Sequence, residues 1–376
     1  MKTENPFITK GYCGPQYFCD RETETGKLVS AVRNGRDVTL MAPRRYGKTG
    51  LIHHLFHAIG DECETLYIDI FNVGDLTEFV KVFSSAVVGR FSTKAEKAGR
   101  GLVGFFRNLR LTMTPQSDGM PKFSFDIAPS QAETTLQETF EFIKSRKTVP
   151  VIAIDEFQQV RAFPEKGVEA LLRSHIQFCH NARFIFAGSK RHLMEEMFVL
   201  PRGPFYQSTQ LMSLAPIDRE KYAAFAGDFF KRGKRSFNAE AFRHLYDRFE
   251  GVTWYVQAVL NRAWDSPGGL SGDEAVDAAI ETLVEENALT YHDLLASQTA
   301  AAQGVLRAIA LEGCATQVSS RRFTEKHSLP AGSTVRYAVA DLVKKDLLYR
   351  SPAGYQVYDR IFANWLSRLN SPQSAR

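Results

Sequence analysis

Cysteine is scarce in this sequence, and the cysteines are not arranged in pairs. Five are scattered over 376 residues without any C-x-x-C spacing: Cys13, Cys19, Cys63, Cys179 and Cys314. A disulfide framework needs a dense, even-numbered set, and a zinc site needs closely spaced ligands. A metal half-site at Cys13 and Cys19 is the alternative, but we expect reduced, partly buried thiols.

Long apolar runs are also missing. The N-terminal stretch MKTENPFITKGYCG contains no hydrophobic segment of signal-peptide length. Runs such as VPVIAI at 149–154 are far shorter than the roughly 20 residues that a membrane helix needs. We therefore expect a cytoplasmic protein with no membrane partner.

A strong net charge is absent as well, but the charge is unevenly distributed. The formal net charge is +5, with 44% hydrophobic and 24% charged residues, which is typical of a globular protein. Residues 299–376 carry 11 Lys and Arg against 5 Asp and Glu, so the positive surplus lies in the last fifth of the chain. Because 376 residues exceed the usual size of one hydrophobic core, we expect more than one domain.

Strands and helices alternate in the first 217 residues. Short apolar runs predict strands, and apolar residues at helical spacing predict the helices between them. The predicted strands are 38–42, 65–71, 149–157, 182–190 and 210–217, and the predicted helices are 49–59, 76–91 and 132–146. This order predicts an α/β core with a mainly parallel sheet.

Residues 92–130 interrupt the alternation and are expected to be an insertion in the core. The sequence LRLTMTPQSDGMPKFSFDI predicts a β-hairpin around a D-G turn. The insertion also carries a basic stretch: Lys94, Lys97, Arg100, Arg107 and Arg110. We expect these side chains to form a solvated surface, and contact with a partner or nucleic acid is the alternative.

Two further domains are expected after the core at 1–217. Residues 218–295 contain successive amphipathic segments and predict a helical domain. Residues 296–376 predict three helices followed by a β-hairpin around 352–354, which together form a winged helix. Gly313 is expected to end the first of these helices, a serine to cap the second, and Ser333 to cap the third.

The stretch MAPRRYGKTG at 41–50 looks like a phosphate-binding loop in which Ala42 replaces the first glycine. Gly47, Lys48 and Thr49 form a G-K-T tripeptide between a predicted strand and a predicted helix, as such a loop requires. The tripeptide alone is a weak signal. It gains weight because a buried strand further along the chain ends in two acids.

The chemistry of a phosphate site assigns a role to each of these residues. Lys48 would reach the β- and γ-phosphate oxygens, and the Thr49 hydroxyl would coordinate Mg²⁺. Asp155 would complete the metal shell, and Glu156 would polarise an attacking water, so hydrolysis is expected rather than transfer to a substrate hydroxyl. Ser189, at the end of the next predicted strand, would sense the γ-phosphate or orient that water. A non-catalytic surface role for Glu156 and a turn role for Ser189 are the alternatives.

The nucleotide is expected to contact the loop and the start of the helix. These residues are Ala42, Pro43, Arg44, Arg45, Tyr46, Gly47, Lys48, Thr49 and Gly50. Their backbone N–H groups would surround the phosphates at the positive end of the helix. We expect Ala42 to be compatible with ATP binding, provided that its position needs no positive φ.

Several segments together resemble a known family. APRRYGKTGLI, VIAIDEFQQV, ARFIFAGSKRHLMEEMF, PFYQSTQLMSLAPI, FEGVTWYVQAV and YQVYDRIFANWL are similar to motifs of the archaeal-type ATPases, a prokaryotic branch of the STAND class of signal-transduction NTPases related to AAA+ proteins. The segment YFCDRETETGKLVSAV resembles the family's R-E-x-E motif near the adenine pocket, which adds Arg21 to the expected nucleotide-binding residues. The similarity covers nearly the whole chain.

The resemblance implies a P-loop core with a strand order like 5-1-4-3-2, a helical lid and a winged-helix domain. It also implies that ATP or ADP binds with Mg²⁺ between core and lid, and that hydrolysis changes how the domains pack. A nucleotide-dependent oligomer is a further expectation.

Three positions depart from the family pattern, and the loop alanine is the first. The second is 251–253, which lacks the proline of the lid motif and so weakens the assignment of Trp254 and Tyr255 to the nucleotide pocket. The third is 207–208, where many relatives have G-R. Arg202 is the nearby alternative for an arginine finger, which stays unassigned.

Two functions are compatible with the sequence. We favour an ATP-driven conformational switch that engages a protein partner, with slow turnover because no arginine finger from a second chain is identified. The alternative is an ATPase that binds duplex DNA through its winged helix. Candidate contacts for either partner are Arg321, Arg322, Arg336, Tyr337, Lys344 and Lys345. A P-loop kinase is disfavoured by the second acid and by the lack of an identifiable acceptor site.

Overall fold

A computed structural model describes residues 5–93, 106, 110–114, 122–351 and 353–369. The chain divides into two compact units. The first unit is Lys10–Asp218, and the second combines Arg219–Arg376 with the N-terminal Met1–Thr9. Among the described residues, no helix combines the length and the apolar composition that crossing a membrane requires.

The first unit is built around a five-stranded parallel sheet. Its strands, with an additional hairpin numbered in chain order, are β1 (Val38–Met41), β2 (Glu64–Asp69), β3 (Arg110–Thr114), β4 (Lys122–Asp126), β5 (Pro150–Asp155), β6 (Arg183–Gly188) and β7 (Gln210–Ser213). The sheet order is β2-β5-β6-β1-β7, and every neighbouring pair is parallel. Counted over the sheet strands alone, this is the predicted order 5-1-4-3-2, which is therefore confirmed.

Helices cover both faces of this sheet, which explains the continuous apolar runs of its strands. The helices are α1 (Glu22–Arg33), α2 (Lys48–Ile59), α3 (Leu76–Phe91), α4 (Ala132–Lys144), α5 (Val168–Ile176) and α6 (Arg191–Phe198). Leu28 of α1 and Leu55 of α2 belong to the core on one face. Phe83 of α3 and Phe140 of α4 belong to the core on the other.

The insertion contains the predicted hairpin. Strands β3 and β4 pair antiparallel, with Arg110 opposite Asp126 and Thr114 opposite Lys122. The D-G turn lies outside the described residues, and so do Lys94, Lys97, Arg100 and Arg107 of the basic stretch. The expectation of a solvated basic surface therefore stays a prediction.

The second unit contains the helical region and the winged helix. Its helices are α7 (Arg219–Arg232), α8 (Ala239–Arg248), α9 (Thr253–Asp265), α10 (Asp273–Ala296), α11 (Ala300–Glu312), α12 (Arg321–Lys326), α13 (Gly332–Lys344) and α14 (Arg360–Arg368), with strands β8 (Leu348–Ser351) and β9 (Gly354–Val357). Helices α11 to α13 and the antiparallel β8–β9 hairpin form the predicted winged helix.

The helix ends in the winged helix follow the sequence signals with one exception. Gly313, at φ 70°, follows the last residue of α11, and the Ser320 hydroxyl accepts a hydrogen bond from the Phe323 N–H at the start of α12. The predicted cap at Ser333 is wrong, because α13 already begins at Gly332 and Ala331 is its N-cap. A glycine occupies this first position because a side chain at Gly332 would meet the Ser319 carbonyl oxygen, 2.4 Å from an ideal Cβ.

The first residues of the described chain pack into the second unit. The Phe7 ring is completely buried, with its centroid 5.3 Å from that of Phe230 and 5.9 Å from that of Trp264. The Asn261 side chain donates to the Phe7 carbonyl at 2.8 Å, and the Asn5 side chain donates to the Asn261 carbonyl at 2.9 Å. This N-terminal segment is thus part of the core of the helical region.

Candidate active site

The loop at 42–47 connects β1 directly to α2. Gly47 is the residue before the helix and has φ 87°, a left-handed conformation that glycine adopts without steric cost. An ideal Cβ at Gly47 would meet no atom within 4 Å, so the space above this residue is open. No described side chain caps α2, which leaves its first turn available to an anion.

Ala42 continues the β1 strand rather than forming a strained turn. Its N–H donates to the Gly188 carbonyl of β6 at 3.3 Å, and its side chain is buried in the core. Ala42 is not among the described residues with positive φ. The backbone condition for replacing the first loop glycine by alanine is therefore met.

Lys48, the first residue of α2, has a buried side chain. Its ammonium group donates to the Ala42 carbonyl at 3.2 Å, across the loop. Burial lowers the pKa of Lys48, while the carboxylates of Asp155 and Glu156 oppose that shift. A buried cation held against the loop is suited to binding phosphate oxygens.

Asp155, the last residue of β5, is buried and fixed by three donors. Its Oδ2 accepts hydrogen bonds from the Thr49 hydroxyl at 2.9 Å and the Tyr67 hydroxyl at 2.8 Å. Its Oδ1 accepts from the Glu156 N–H at 2.9 Å. The structure thus brings together the two predicted metal ligands, Thr49 and Asp155, and adds Tyr67, which the sequence motifs did not indicate.

Glu156 is held by two donors on one carboxylate oxygen. Its Oε2 accepts from the Ser189 hydroxyl at 2.6 Å and from the Gln158 side-chain amide at 2.5 Å. The backbone of Glu156 is left-handed, at φ 55°, which turns the chain away from β5 immediately after Asp155. Ser189 and Glu156 therefore meet at the ends of adjacent strands, and their expected roles in hydrolysis stay predictions.

Gln158 lies in the segment VIAIDEFQQV, which resembles a family motif, but the sequence predicted no role for it. Its side chain is buried, and its Oε1 has no hydrogen-bond partner among the described residues. An ideal Cβ at Gly188 would lie 2.5 Å from that oxygen, so a glycine is required there for Gln158 to reach Glu156. The glutamine in D-E-F-Q and the glycine in G-S are thus explained by one contact.

The remaining loop residues form the rim of the site. The Arg44 guanidinium lies 5.3 Å from the centroid of the Phe71 ring, just beyond the end of β2. Arg45 has a left-handed backbone at φ 71°, and Tyr46 packs beside the core between α1 and α2. The Gly50 position faces the Phe18 ring, which lies 3.4 Å from an ideal Cβ.

A third acid, Asp69, stands at the same edge of the sheet. It is directly opposite Asp155 in the register of β2 and β5. Burial raises the pKa of Asp69, while a hydrogen bond from the Phe71 N–H opposes that shift. No hydrogen bond joins Asp69 to the other two acids in the described part of the chain, and its bond from the Phe71 N–H fixes the chain after β2.

The side chains at this edge fit Mg²⁺ and a triphosphate. The Thr49 hydroxyl and the Asp155 carboxylate are hard oxygen donors that already lie 2.9 Å apart, and such ligands suit Mg²⁺. The uncapped start of α2 and the buried Lys48 supply the positive potential that phosphate groups need.

Arg21 has a structural role outside the phosphate loop. Its buried guanidinium donates to the Glu24 carboxylate at 2.8 Å and to the Ala215 carbonyl at 2.7 Å, which ties the start of α1 to the segment after β7. Its expected contact with the nucleotide stays a prediction.

Trp254 and Tyr255 in the helical region are engaged within the second unit. The Trp254 indole N–H donates to the Thr9 carbonyl at 3.1 Å. The Tyr255 hydroxyl donates to the Tyr358 carbonyl at 3.3 Å and accepts from the Arg360 N–H at 2.9 Å. These bonds join α9 to the N-terminal segment and to the winged helix.

The six predicted partner contacts of the winged helix fall into two groups. Arg321 pairs with Glu325 at 2.6 Å, and Lys345 pairs with Asp341 at 2.6 Å. The second group is exposed and has no ion pair or hydrogen bond among the described residues: Arg322, Arg336, Tyr337 and Lys344. Arg202 in the first unit is likewise exposed and without a described partner.

Comparisons with known proteins agree with this architecture. Residues 18–259 match the family model of an ATPase domain predominantly from Archaea, and residues 289–368 match a probable winged helix domain. No curated protein matches the chain.

Solved structures share the fold at low sequence identity. A Walker-type ATPase of Pyrococcus abyssi is 16% identical, with a TM-score of 0.61 over 96% of this chain and 99% of that one. The Aeropyrum pernix ORC2 protein, solved in ADPNP–ADP complexes, is 16% identical, with a TM-score of 0.57 over 98% and 99%. The Aeropyrum pernix ORC1 protein, solved in complex with DNA, is 14% identical, with a TM-score of 0.53 over 97% and 96%. Because one family model covers well over half of the sequence, the chain belongs to the family of ATPase domains found predominantly in Archaea, and it carries a winged-helix domain after its ATPase domain.

Proposed function

We propose that the protein binds and slowly hydrolyses ATP with Mg²⁺, and that the bound nucleotide acts as a conformational switch of the STAND type that engages a protein partner. The observation that carries the proposal is the bonded set of Thr49, Asp155, Glu156 and Ser189 beside the buried Lys48. A switch needs a site that distinguishes ATP from ADP, and Ser189 and Glu156 lie where a γ-phosphate would be sensed.

The chain's own residues divide the chemistry between them. Lys48 and the N–H groups at the start of α2 would bind the phosphates, and Thr49 and Asp155 would hold the metal. Mg²⁺, when bound, would neutralise charge on the transferred phosphoryl group. Glu156 would accept a proton from the attacking water through Oε1, because Oε2 already accepts two hydrogen bonds.

Slow turnover is expected because the site has no assigned arginine to stabilise the charge on the γ-phosphate during hydrolysis. Lys48 is the buried cation of the loop, and no arginine from a second chain is assigned to the γ-phosphate. Enzymes that lack such an arginine hydrolyse nucleotide about 10³–10⁵ times more slowly than their activated forms. A long-lived ATP state is suited to a signalling switch rather than to a motor.

Hydrogen exchange of two variants tests the switch. Glu156→Gln should retain Mg-ATP unhydrolysed, whereas Lys48→Ala should not bind it. With Mg-ATP present, the rate of amide exchange in α7 to α10 is expected to differ between the two variants. Without nucleotide, the two variants should exchange at the same rate. If Glu156→Gln binds Mg-ATP and still exchanges at the same rate as Lys48→Ala, the proposed switch is refuted, while the proposed ATPase activity stands.

Duplex DNA is the second candidate partner, favoured by the exposed face of α13. Arg336, Tyr337 and Lys344 lie on that face without described ion pairs, and Tyr337 is 81% exposed. In helix-turn-helix proteins the corresponding helix enters the major groove. The ORC1 protein was solved in complex with DNA, which makes DNA the first nucleic acid to test.

A salt titration separates the two partners. If α13 binds DNA, affinity should fall steeply between low and moderate salt, and Arg336→Ala with Lys344→Ala should reduce the salt slope by about 2. Lys345→Ala is the matched control, because Asp341 already neutralises that lysine. If DNA binds weakly and its affinity does not depend on salt, the proposed function is the switch that engages a protein partner.

A further inference from the structure

We propose that Tyr67 is a positioning residue for the magnesium site, which orients Asp155 independently of the phosphate loop. The inference rests on the proposed function, since it assigns a role in binding the metal. Tyr67 belongs to none of the nucleotide-binding motifs in the sequence.

The strand register brings Tyr67 to the site. Strand β2 is the direct neighbour of β5, with Tyr67 opposite Ala153 and Asp69 opposite Asp155. Asp155, at the end of β5, is thus two positions further along the strands than Tyr67. The Tyr67 side chain covers this distance, and its hydroxyl donates to Asp155 Oδ2 at 2.8 Å. The contact therefore depends on the pairing of two sheet strands, which are rigid elements.

Thr49 makes the other hydrogen bond to the same oxygen, but the two donors differ in kind. Thr49 is expected to be a metal ligand itself and lies at the start of α2, next to the loop that must accommodate the phosphates. Tyr67 is not expected to ligate the metal, so its bond to Asp155 need not change when the site is loaded. An outer partner of this type fixes the orientation of a metal ligand.

The Tyr67 ring is itself held in place. It is half-buried and packs against the core formed by α1 and α2. The His53 ring of α2 lies with its centroid 5.0 Å from that of Tyr67, at an interplanar angle of 42°. The hydroxyl is thus presented to Asp155 by a side chain with little freedom to rotate, as a preorganised site requires.

Tyr67→Phe removes this hydroxyl and keeps the ring. The affinity of the ADP-bound protein for Mn²⁺, measured by electron paramagnetic resonance, is expected to fall about tenfold. Nucleotide affinity in the presence of EDTA should be unchanged, because the hydroxyl that is removed bonds to Asp155 and to no described residue of the loop at 42–47. The Mg²⁺ concentration for half-maximal ATP hydrolysis should rise by the same factor.

Tyr12→Phe is the matched control. The Tyr12 hydroxyl is bonded to His54 Nδ1 of α2 at 2.8 Å but does not contact Asp155. This variant loses a comparable hydrogen bond on the same helix and should bind Mn²⁺ like the wild type. Melting curves of both variants check that each is folded.

Two results would overturn the inference, and they are distinguishable. If folded Tyr67→Phe binds Mn²⁺ as tightly as the wild type, Tyr67 does not position the metal ligand, and the proposed ATPase site stands. If the wild-type protein itself shows no metal-dependent nucleotide binding, the proposed function fails and the role of Tyr67 fails with it.

Discussion

Both ends of the parallel sheet in the first unit bury polar side chains, but the two ends connect them differently. At the carboxyl end, Asp155 of β5 receives hydrogen bonds from Thr49 on a helix and from Tyr67 on the neighbouring strand. Glu156, one residue further, is bonded to Ser189 after β6. These contacts join strand ends to the uncapped start of α2, where space remains open above Gly47.

At the amino end, hydrogen bonds join the strands to one another, and the Arg183 side chain of β6 also donates to the Val32 carbonyl of α1 at 3.3 Å. Asp37, just before β1, accepts a hydrogen bond from the Phe184 N–H of β6 at 2.8 Å. The Thr39 and Thr209 hydroxyls are bonded at 2.7 Å, which connects β1 to the start of β7. A cavity of about 510 Å³ lies beside Asp37, but no loop and helix start converge on it in the way they do at the other end.

A buried polar residue does not by itself mark an active site. Each end contains a carboxylate held by backbone or hydroxyl donors, and Asp155 is buried whereas Asp37 is half-buried. Among the described residues, only the carboxyl end combines carboxylates with a buried lysine and an uncapped helix start, as ligand sites of parallel sheets do. We expect mutations at one end to change turnover and mutations at the other to change stability.

Glu156→Gln is expected to have the largest effect. Removing the proton acceptor should lower ATP turnover by about 10²–10³-fold, while nucleotide affinity changes little. Steady-state phosphate release and calorimetric binding measure the two quantities. Asp69→Asn is the control, because this acid at the same edge is bonded to the Phe71 N–H, and turnover should stay within about threefold. Equal losses in both variants would refute the specific role of Glu156.

Asp37→Asn should alter stability and leave turnover intact. Burial raises the pKa of Asp37 to about 6, against the opposing effects of the Phe184 N–H and Arg183. Because the folded pKa is above the unfolded value, the stability that the protonated acid provides is complete below about pH 4 and is lost as pH rises through 6.

The neutral amide avoids this loss. Asp37→Asn should therefore exceed the wild type in free energy of unfolding by about 2 kcal/mol at pH 7, and the difference should vanish at pH 4. Urea titrations at the two pH values measure it. A change in ATP turnover without a change in stability would contradict the proposed division between the two ends.

Ser189→Ala is expected to have a smaller effect than Glu156→Gln. It removes one of the two donors to Glu156 Oε2, and Gln158 keeps the other. Turnover should fall about tenfold, as the loss of one hydrogen bond to a charged group would cause. Ser208→Ala, which removes a hydroxyl bonded to the Phe205 carbonyl at the opposite end of the sheet, should leave turnover unchanged. An unaltered rate for Ser189→Ala would make this serine a turn residue only.

Ala42→Gly should have the smallest effect. Ala42 needs no positive φ and continues the pairing of β1 with β6, so restoring the usual glycine gives the phosphates no new contact. ATP affinity should change by less than about twofold, with a loss of stability of about 0.5–1 kcal/mol from the added backbone freedom. A large gain in affinity would show that the alanine impairs the loop.

The sequence predicted the parts of the fold and site that local patterns determine. The G-K-T tripeptide and the two acids were visible because strand–loop–helix order and apolar runs place them at strand ends. The strand order followed from the family resemblance rather than from the pattern. The winged helix was visible from three amphipathic segments and a hairpin.

The residues that the sequence did not reveal depend on contacts between distant elements. Tyr67 reads as an ordinary core residue of β2, and only the register with β5 shows that its hydroxyl reaches Asp155. The bond of Gln158 to Glu156 becomes apparent only in the structure, where the Gln158 side chain packs against Gly188. The wrong cap at Ser333 has a similar origin, because only the structure shows that the Ser319 carbonyl approaches Gly332, the first residue of α13.

A crystal structure of Glu156→Gln with Mg-ATP is the most direct test that the nucleotide binds between Lys48 and Asp155. We predict that the Lys48 ammonium leaves the Ala42 carbonyl to contact the phosphates, while the Thr49 hydroxyl binds the metal next to Asp155. A nucleotide bound elsewhere, or Lys48 still bonded to Ala42 with the triphosphate in place, would contradict it.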